Sequence, residues 1–106
     1  MTLPEPHPTT GLEDVVHQRA RLGILAVLVE AGTVDFAGLK QLLNLTDGNL
    51  SRHLTVLEEA GYVLTRKSFE GRKPRTTVAL TTAGRTAFED EVTALKALLR
   101  VVGGTP

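Results

Sequence analysis

A chain of 106 residues has room for one hydrophobic core, and with 42% apolar but only 4% aromatic residues that core must be aliphatic. The absence of cysteine excludes a disulfide frame and a thiolate metal site. Twelve basic and twelve acidic side chains cancel to a formal charge of zero, which excludes a uniformly cationic polyanion binder but leaves a local patch open.

Pro4, Pro6 and Pro8 stand at alternate positions, a pattern that prevents helix and predicts a flexible tail over residues 1–11. The tail has neither a basic run nor an apolar stretch, so it is not expected to act as a secretory signal. The longest apolar run apart from glycine, "ILAVLV" at residues 24–29, is far short of the roughly 20 residues needed to cross a bilayer. The expectation is a soluble, cytoplasmic protein with no membrane partner.

One domain is expected over residues 12–102. Leu12, Val15, Val16, Arg19, Leu22, Ile24, Leu25, Leu28 and Val29 recur at helical spacing, and Gly32 is expected to close this first helix in the left-handed conformation. "TV" at residues 33–34 is a strand stub. Asp35 can cap a second helix, "FAGLKQLL", with Phe36, Leu39, Leu42 and Leu43 pointing inward. Asn44-Leu45 turns tightly, and Thr46 caps a third helix over about 46–60 that stops at Gly61.

The period then changes. "YVLTRKSF" and "PRTTVAL" favour strands, and "EGRK" between them supplies a turn through Gly71, so residues 62–80 predict a β-hairpin with a basic tip. Thr81 or Thr82 caps a last helix over about 82–102. Two short helices, a tight turn and a hairpin make a helix-turn-helix with a wing, in a mainly α chain with a small β-hairpin (α+β).

Charge and shape converge on the third helix and the hairpin. The ten residues from Arg66 to Arg75 hold five basic side chains and one acid, Glu70, a local charge of +4; the other 96 residues sum to −4. At 100° per residue, Leu54, Leu57 and Gly61 lie within about 40° of Leu50, while Gly48, Arg52, Thr55 and Glu59 lie within about 40° of the opposite direction. A recognition helix enters the major groove with its N-terminal turns, which selects Thr46, Gly48, Asn49, Ser51, Arg52 and Thr55 as the DNA-binding set. Arg52 suits guanine and Asn49 suits adenine through paired hydrogen bonds, and Ser51 and Thr55 suit a base or a phosphate. Gly48 weakens the helix by roughly 1 kcal/mol relative to Ala, which close approach of the backbone to DNA would offset. Arg72, Lys73 and Arg75 are expected on the backbone or in the minor groove, and Arg66 and Lys67, at the hairpin base, on phosphates.

Three segments carry a family resemblance: "HQRARLGILAVL", "GLKQLLNLTDGNLSRHLTVLEEAGYV" and "KSFEGRKPRTTVALTTAGRTAF". They resemble the short winged-helix transcriptional regulators related to the MarR and ArsR families, over roughly residues 12–100. The resemblance implies a dimeric bacterial or archaeal repressor-like protein whose third helix and wing bind operator DNA. The terminal helices are too short for the ligand pocket of MarR-type sensors, and the usual thiolates of ArsR-type metal sensing are missing.

In the last helix Phe88, Val92, Leu95, Leu99 and Val102 are spaced four and three apart, a heptad seam widened by Ala94, Leu98 and Val101. About 20 helical residues span some 30 Å, more than a three-helix core covers, so the seam predicts a homodimer and a palindromic operator.

Catalytic and metal readings fail. Ser51 and His53 lie about 200° apart on their helix. Glu13 and His17 are an i, i+4 pair with no further ligand to complete a metal site. No enzyme, cofactor or metal is expected. The competing readings are a protein-interaction winged helix that docks on an acidic partner without binding DNA, and a ligand or pH sensor using His17 and His53. The small-molecule effector is not readable from the residues.

Overall fold

The computed structural model describes residues 18–103. The expected tail over 1–11, the apolar positions Leu12, Val15 and Val16, and the Glu13–His17 pair lie outside the described residues. Among those described, four helices surround a small antiparallel sheet: α1 (Arg19–Ala31), β1 (Thr33–Asp35), α2 (Phe36–Leu43), α3 (Asp47–Glu59), β2 (Val63–Glu70), β3 (Lys73–Leu80) and α4 (Thr82–Gly103).

Ile24, Leu25 and Leu28 of α1 are fully buried against Leu39 of α2, Leu50, Leu54 and Leu57 of α3, and Val63 and Val78 of the sheet. The core is aliphatic, as the composition requires. Each fully buried leucine contributes about 1.5–3 kcal/mol, so the three on α3 outweigh any single polar contact that helix makes inside the chain.

Polar end groups fix where the helices start and stop. The Asp35 carboxylate accepts from Gly38 N–H at 2.8 Å, and the Thr46 hydroxyl accepts from Asn49 N–H at 3.2 Å. At the end of α2, Asn44 adopts φ 53°, so that Leu45 N–H reaches the Lys40 carbonyl and Asn44 N–H the Gln41 carbonyl. The end of α3 repeats this: with Gly61 at φ 82°, Tyr62 N–H donates to Leu57 and Gly61 N–H to Glu58. Both are Schellman closures, which turn the chain sharply while satisfying the last carbonyls. Lys40 and Asp47, 2.9 Å apart, add an exposed ion pair across the α2–α3 turn.

Two expectations are corrected. Gly32 has φ 78° and ψ −53°, which is not the left-handed helical conformation. The chain turns there straight into β1, and the Gly32 carbonyl accepts from Leu80 N–H at 3.1 Å. Leu42, expected inward, is 67% exposed. An eight-residue helix offers one narrow buried face, and Leu39 occupies it.

The strand stub enlarges the hairpin into a three-stranded sheet of order β1-β3-β2. Val34 pairs with Val78, and β2 runs in register with β3 from Val63↔Leu80 to Glu70↔Lys73. Only Gly71 and Arg72 remain at the turn, with Gly71 at φ 66°.

Thr81, rather than Thr82, caps α4: its hydroxyl accepts from Gly84 N–H at 2.9 Å and donates to the Gly61 carbonyl at 2.6 Å. Helix α4 is thereby tied to the loop that ends α3. Gly84 packs so tightly there that a Cβ would overlap the Tyr62 carbonyl. Gly84→Ala should therefore destabilise the fold by about 1–3 kcal/mol, because a backbone atom cannot move aside as a flexible side chain does. Urea unfolding of the two proteins checks this, and an unchanged midpoint would contradict it.

Candidate nucleic-acid interface

The leucine stripe of α3 decides what the other side of that helix does. With Leu50, Leu54 and Leu57 buried, Thr46, Asp47, Gly48, Asn49, Ser51, Arg52 and Thr55 are all exposed. Asn49 and Arg52 are joined: an Arg52 guanidinium N–H donates to the Asn49 side-chain carbonyl at 3.0 Å. The two side chains suited to base edges thus stand on one exposed face, one turn apart. The exposed Thr55 hydroxyl donates to the Ser51 carbonyl at 3.0 Å. A Cβ on Gly48 would meet nothing within 4 Å, so no intramolecular contact explains a glycine there.

Side chains alternate across a strand, and the hairpin sorts its charges accordingly. Lys67 shares a face with Thr65 and, across the register, with Thr76. It lines a cleft of about 410 Å³ with Phe36, Ser51, Thr55, Glu58 and Thr65, between α3 and the ribbon. Arg66, Lys73 and Arg75 occupy the opposite face, and Arg72 sits in the turn. Arg66 and Lys67, placed at the hairpin base by the sequence reading, are paired in mid-ribbon with Thr77 and Thr76. Arg75 lies 3.8 Å from both Asp35 and Glu70. The Asp35 carboxylate therefore caps α2 with one oxygen and faces Arg75 with the other.

Three features were invisible to periodicity. Glu58 Oε2 accepts from both the N–H and the hydroxyl of Thr65, each at 2.8 Å, binding the far end of α3 to β2. The pair is seven residues apart across the Gly61 turn, and no local spacing rule links them. Phe69, read only as a strand former, projects from the ribbon at 76% exposure. Glu91, one helical turn from Ala87, is buried within α4, and Arg21 is buried in α1.

Two titratable groups respond to this packing. His53, half-buried on α3, is pushed below its ordinary value by desolvation, with the charges of Arg21 and Arg52 adding to the effect. Glu58 is held below the usual carboxylate range by the Thr65 N–H and then by the Thr65 hydroxyl. Among the described residues no group of three His, Cys, Asp or Glu side chains is arranged to hold a metal ion.

The model of the family described as winged helix DNA-binding domain matches residues 20–99. The chain belongs to that family. The winged helix is 44% identical over 72 residues to an uncharacterized protein, MJ0432, of Methanocaldococcus jannaschii, covering 68% of this chain and 78% of that one. Among solved structures it is similar to a transcriptional regulator homologue of Pyrococcus horikoshii, with a TM-score of 0.78 and 34% identity over 83% of this chain and 87% of the other. The same fold occurs in the transcriptional regulator MosR of M. tuberculosis in complex with DNA, with a TM-score of 0.70 and 19% identity over 93% and 71% of the two chains. The resemblance to winged-helix transcriptional regulators drawn from the residues is therefore borne out, with α3 as the second helix of the helix-turn-helix and β2–β3 as the wing.

Because the folded-state Glu58 is more acidic than in the unfolded chain, its contact with Thr65 stabilises the winged helix fully above the ordinary carboxylate value of 4.5. That contribution is lost as pH falls from there through the depressed folded value. Urea midpoints measured across this acidic window should decline in the native protein and decline less steeply in Glu58→Gln. Equal slopes would remove the contact from any account of stability.

Proposed function

We propose that this winged helix is a sequence-specific, double-stranded DNA-binding regulator of transcription that acts in the cytoplasm as a homodimeric repressor. Helix α3 enters the major groove and the wing lies on the adjacent minor groove and backbone. The observation that carries this reading is the exposed, polar N-terminal half of α3, from Thr46 to Thr55, standing beside the Lys67 face of a ribbon with net charge +4.

The geometry supports a role for each residue. Arg52 and Asn49 read base edges, their mutual hydrogen bond being exchanged for paired contacts to guanine and adenine. Ser51, Thr55 and the Thr46 turn contact phosphate or base, and Gly48 lets the first turn approach the duplex closely. Lys67 faces phosphates next to α3. Arg66, Arg72 and Lys73 contribute to the cationic field of the wing, which raises association rate and affinity without reading sequence. Arg75, held between Asp35 and Glu70, joins that set after exchanging these acids for phosphate. That MosR, which has the same fold, is found in complex with DNA supports a DNA partner for this chain.

The dimer rests on α4. Phe88 packs on the core, while Val92 and Leu95 are half-buried. Beyond them Leu99 is 68% and Val102 74% exposed, with Val101 also exposed. Apolar side chains in that number on one helix end are covered most simply by the same helix of a second copy. A two-fold axis then sets two α3 helices about 34 Å apart, in successive major grooves of an inverted repeat.

Selection of bound duplexes from a random pool should enrich an inverted repeat; no enrichment above non-specific binding would overturn the reading in favour of a protein-docking role. On the selected site, Arg52→Ala should relax base preference by about 1–3 kcal/mol, whereas Arg72→Ala should weaken all sequences alike and lower the salt slope by about 1. Gly48→Ala should stabilise the free protein by up to about 1 kcal/mol while weakening DNA binding, and an Ala variant that gains stability without losing affinity would contradict the role given to Gly48.

A further inference from the structure

The wing ends in a feature that its charge does not account for. Phe69 is largely exposed, and the β2–β3 register sets it directly opposite Pro74, one pair before the turn. Aromatic and pyrrolidine rings in such a pair form a small apolar pad at the tip of the ribbon. By strand alternation the pad shares the face of Lys67, which lines the cleft beside α3. Glu70, the one acid between Val63 and Leu80, lies on the opposite face, 3.8 Å from Arg75. The pad therefore shares its face with Lys67 and adjoins the turn residue Arg72, while the Glu70 carboxylate and its cross-strand partner Lys73 lie on the other face.

Those surroundings select a partner. An apolar protein surface covering the pad would also have to desolvate Lys67 and Arg72, which is unfavourable unless each charge finds a partner. A nucleic-acid minor groove matches both parts at once. Its rims are phosphates, and its floor is a stack of bases into which Phe and Pro side chains can wedge.

We propose that Phe69, backed by Pro74, is an apolar wedge that enters the minor groove flanking the α3 contact and partly unstacks one base step, kinking the duplex there toward its major groove. This deepens the DNA-binding reading and rests on it. The wedge adds specificity that hydrogen bonding does not supply, because flexible pyrimidine–purine steps open more readily than others.

The test uses the full chain and a duplex taken from the selected pool, with the fluorescent base analogue aminopurine substituted in turn at each flanking step. The native protein should raise the fluorescence at one step on either side of the dyad. Phe69→Ala should abolish that rise and lower affinity about tenfold, the scale of losing one stacked aromatic contact. It should leave the salt slope unchanged, because no charge is removed. Phe69→Leu, still an apolar wedge, should retain most of both effects. Phe69 is exposed, so neither substitution should shift the thermal unfolding curve. A Phe69→Ala protein with native affinity and native fluorescence would overturn the wedge while leaving DNA recognition by α3 intact. So would one that binds DNA normally but dissociates the dimer, since the pad would then be a protein contact. Failure of the native chain to enrich any duplex overturns the DNA reading itself, and the wedge falls with it.

Discussion

Burial of Leu50, Leu54 and Leu57 beneath Ile24, Leu25 and Leu28 is the constraint on which the interface depends. Three leucines on one stripe of a thirteen-residue helix leave it a single rotational setting about its own axis. Turning α3 by even one residue would move a leucine into water and a polar group into the core, and the hydrophobic and desolvation terms would both oppose it. The outward face is therefore determined by the inward one. Asn49, Ser51, Arg52 and Thr55 are presented to solvent because nothing else is compatible with the core.

That setting reaches the wing through polar links. Two hydrogen bonds from Thr65 to Glu58 join β2 to the last turn of α3, and Thr81 joins the loop after α3 to the start of α4. On the opposite face of the ribbon, Asp35 connects Arg75 to the cap of α2. Exposed contacts of this kind are individually small, and together they restrict where the ribbon can stand relative to α3. The ribbon's own alternation then separates its functions. One face carries Lys67 and Phe69; the other holds the Arg75–Glu70 pair, with Arg66 and Lys73.

Helix α4 divides along its length. Its first half is part of the core through Gly84, Ala87 and the buried Glu91, against α1. Its second half carries exposed leucine and valine beyond the reach of the domain. No helix of the described residues is long and apolar enough to cross a membrane. In the proposed homodimer, the same helix end of a second copy covers this end and keeps both α3 helices on one side of the assembly.

Local chemistry was legible in the residues: the caps at Asp35 and Thr46, the stops at Asn44 and Gly61, the hairpin around Gly71 and the buried leucine stripe. Each depends on neighbours within a few positions, and periodicity records such neighbours directly. The sequence could not say that β1 would join β3, that Leu42 would face solvent, or which wing cations would share a face with α3. It was equally silent on the Glu58–Thr65 link, the reach of Arg75 to Asp35, and the burial of Glu91. Those features arise where elements meet across the fold, from strand register and from which of two competing apolar faces is covered first. Only the assembled chain fixes either.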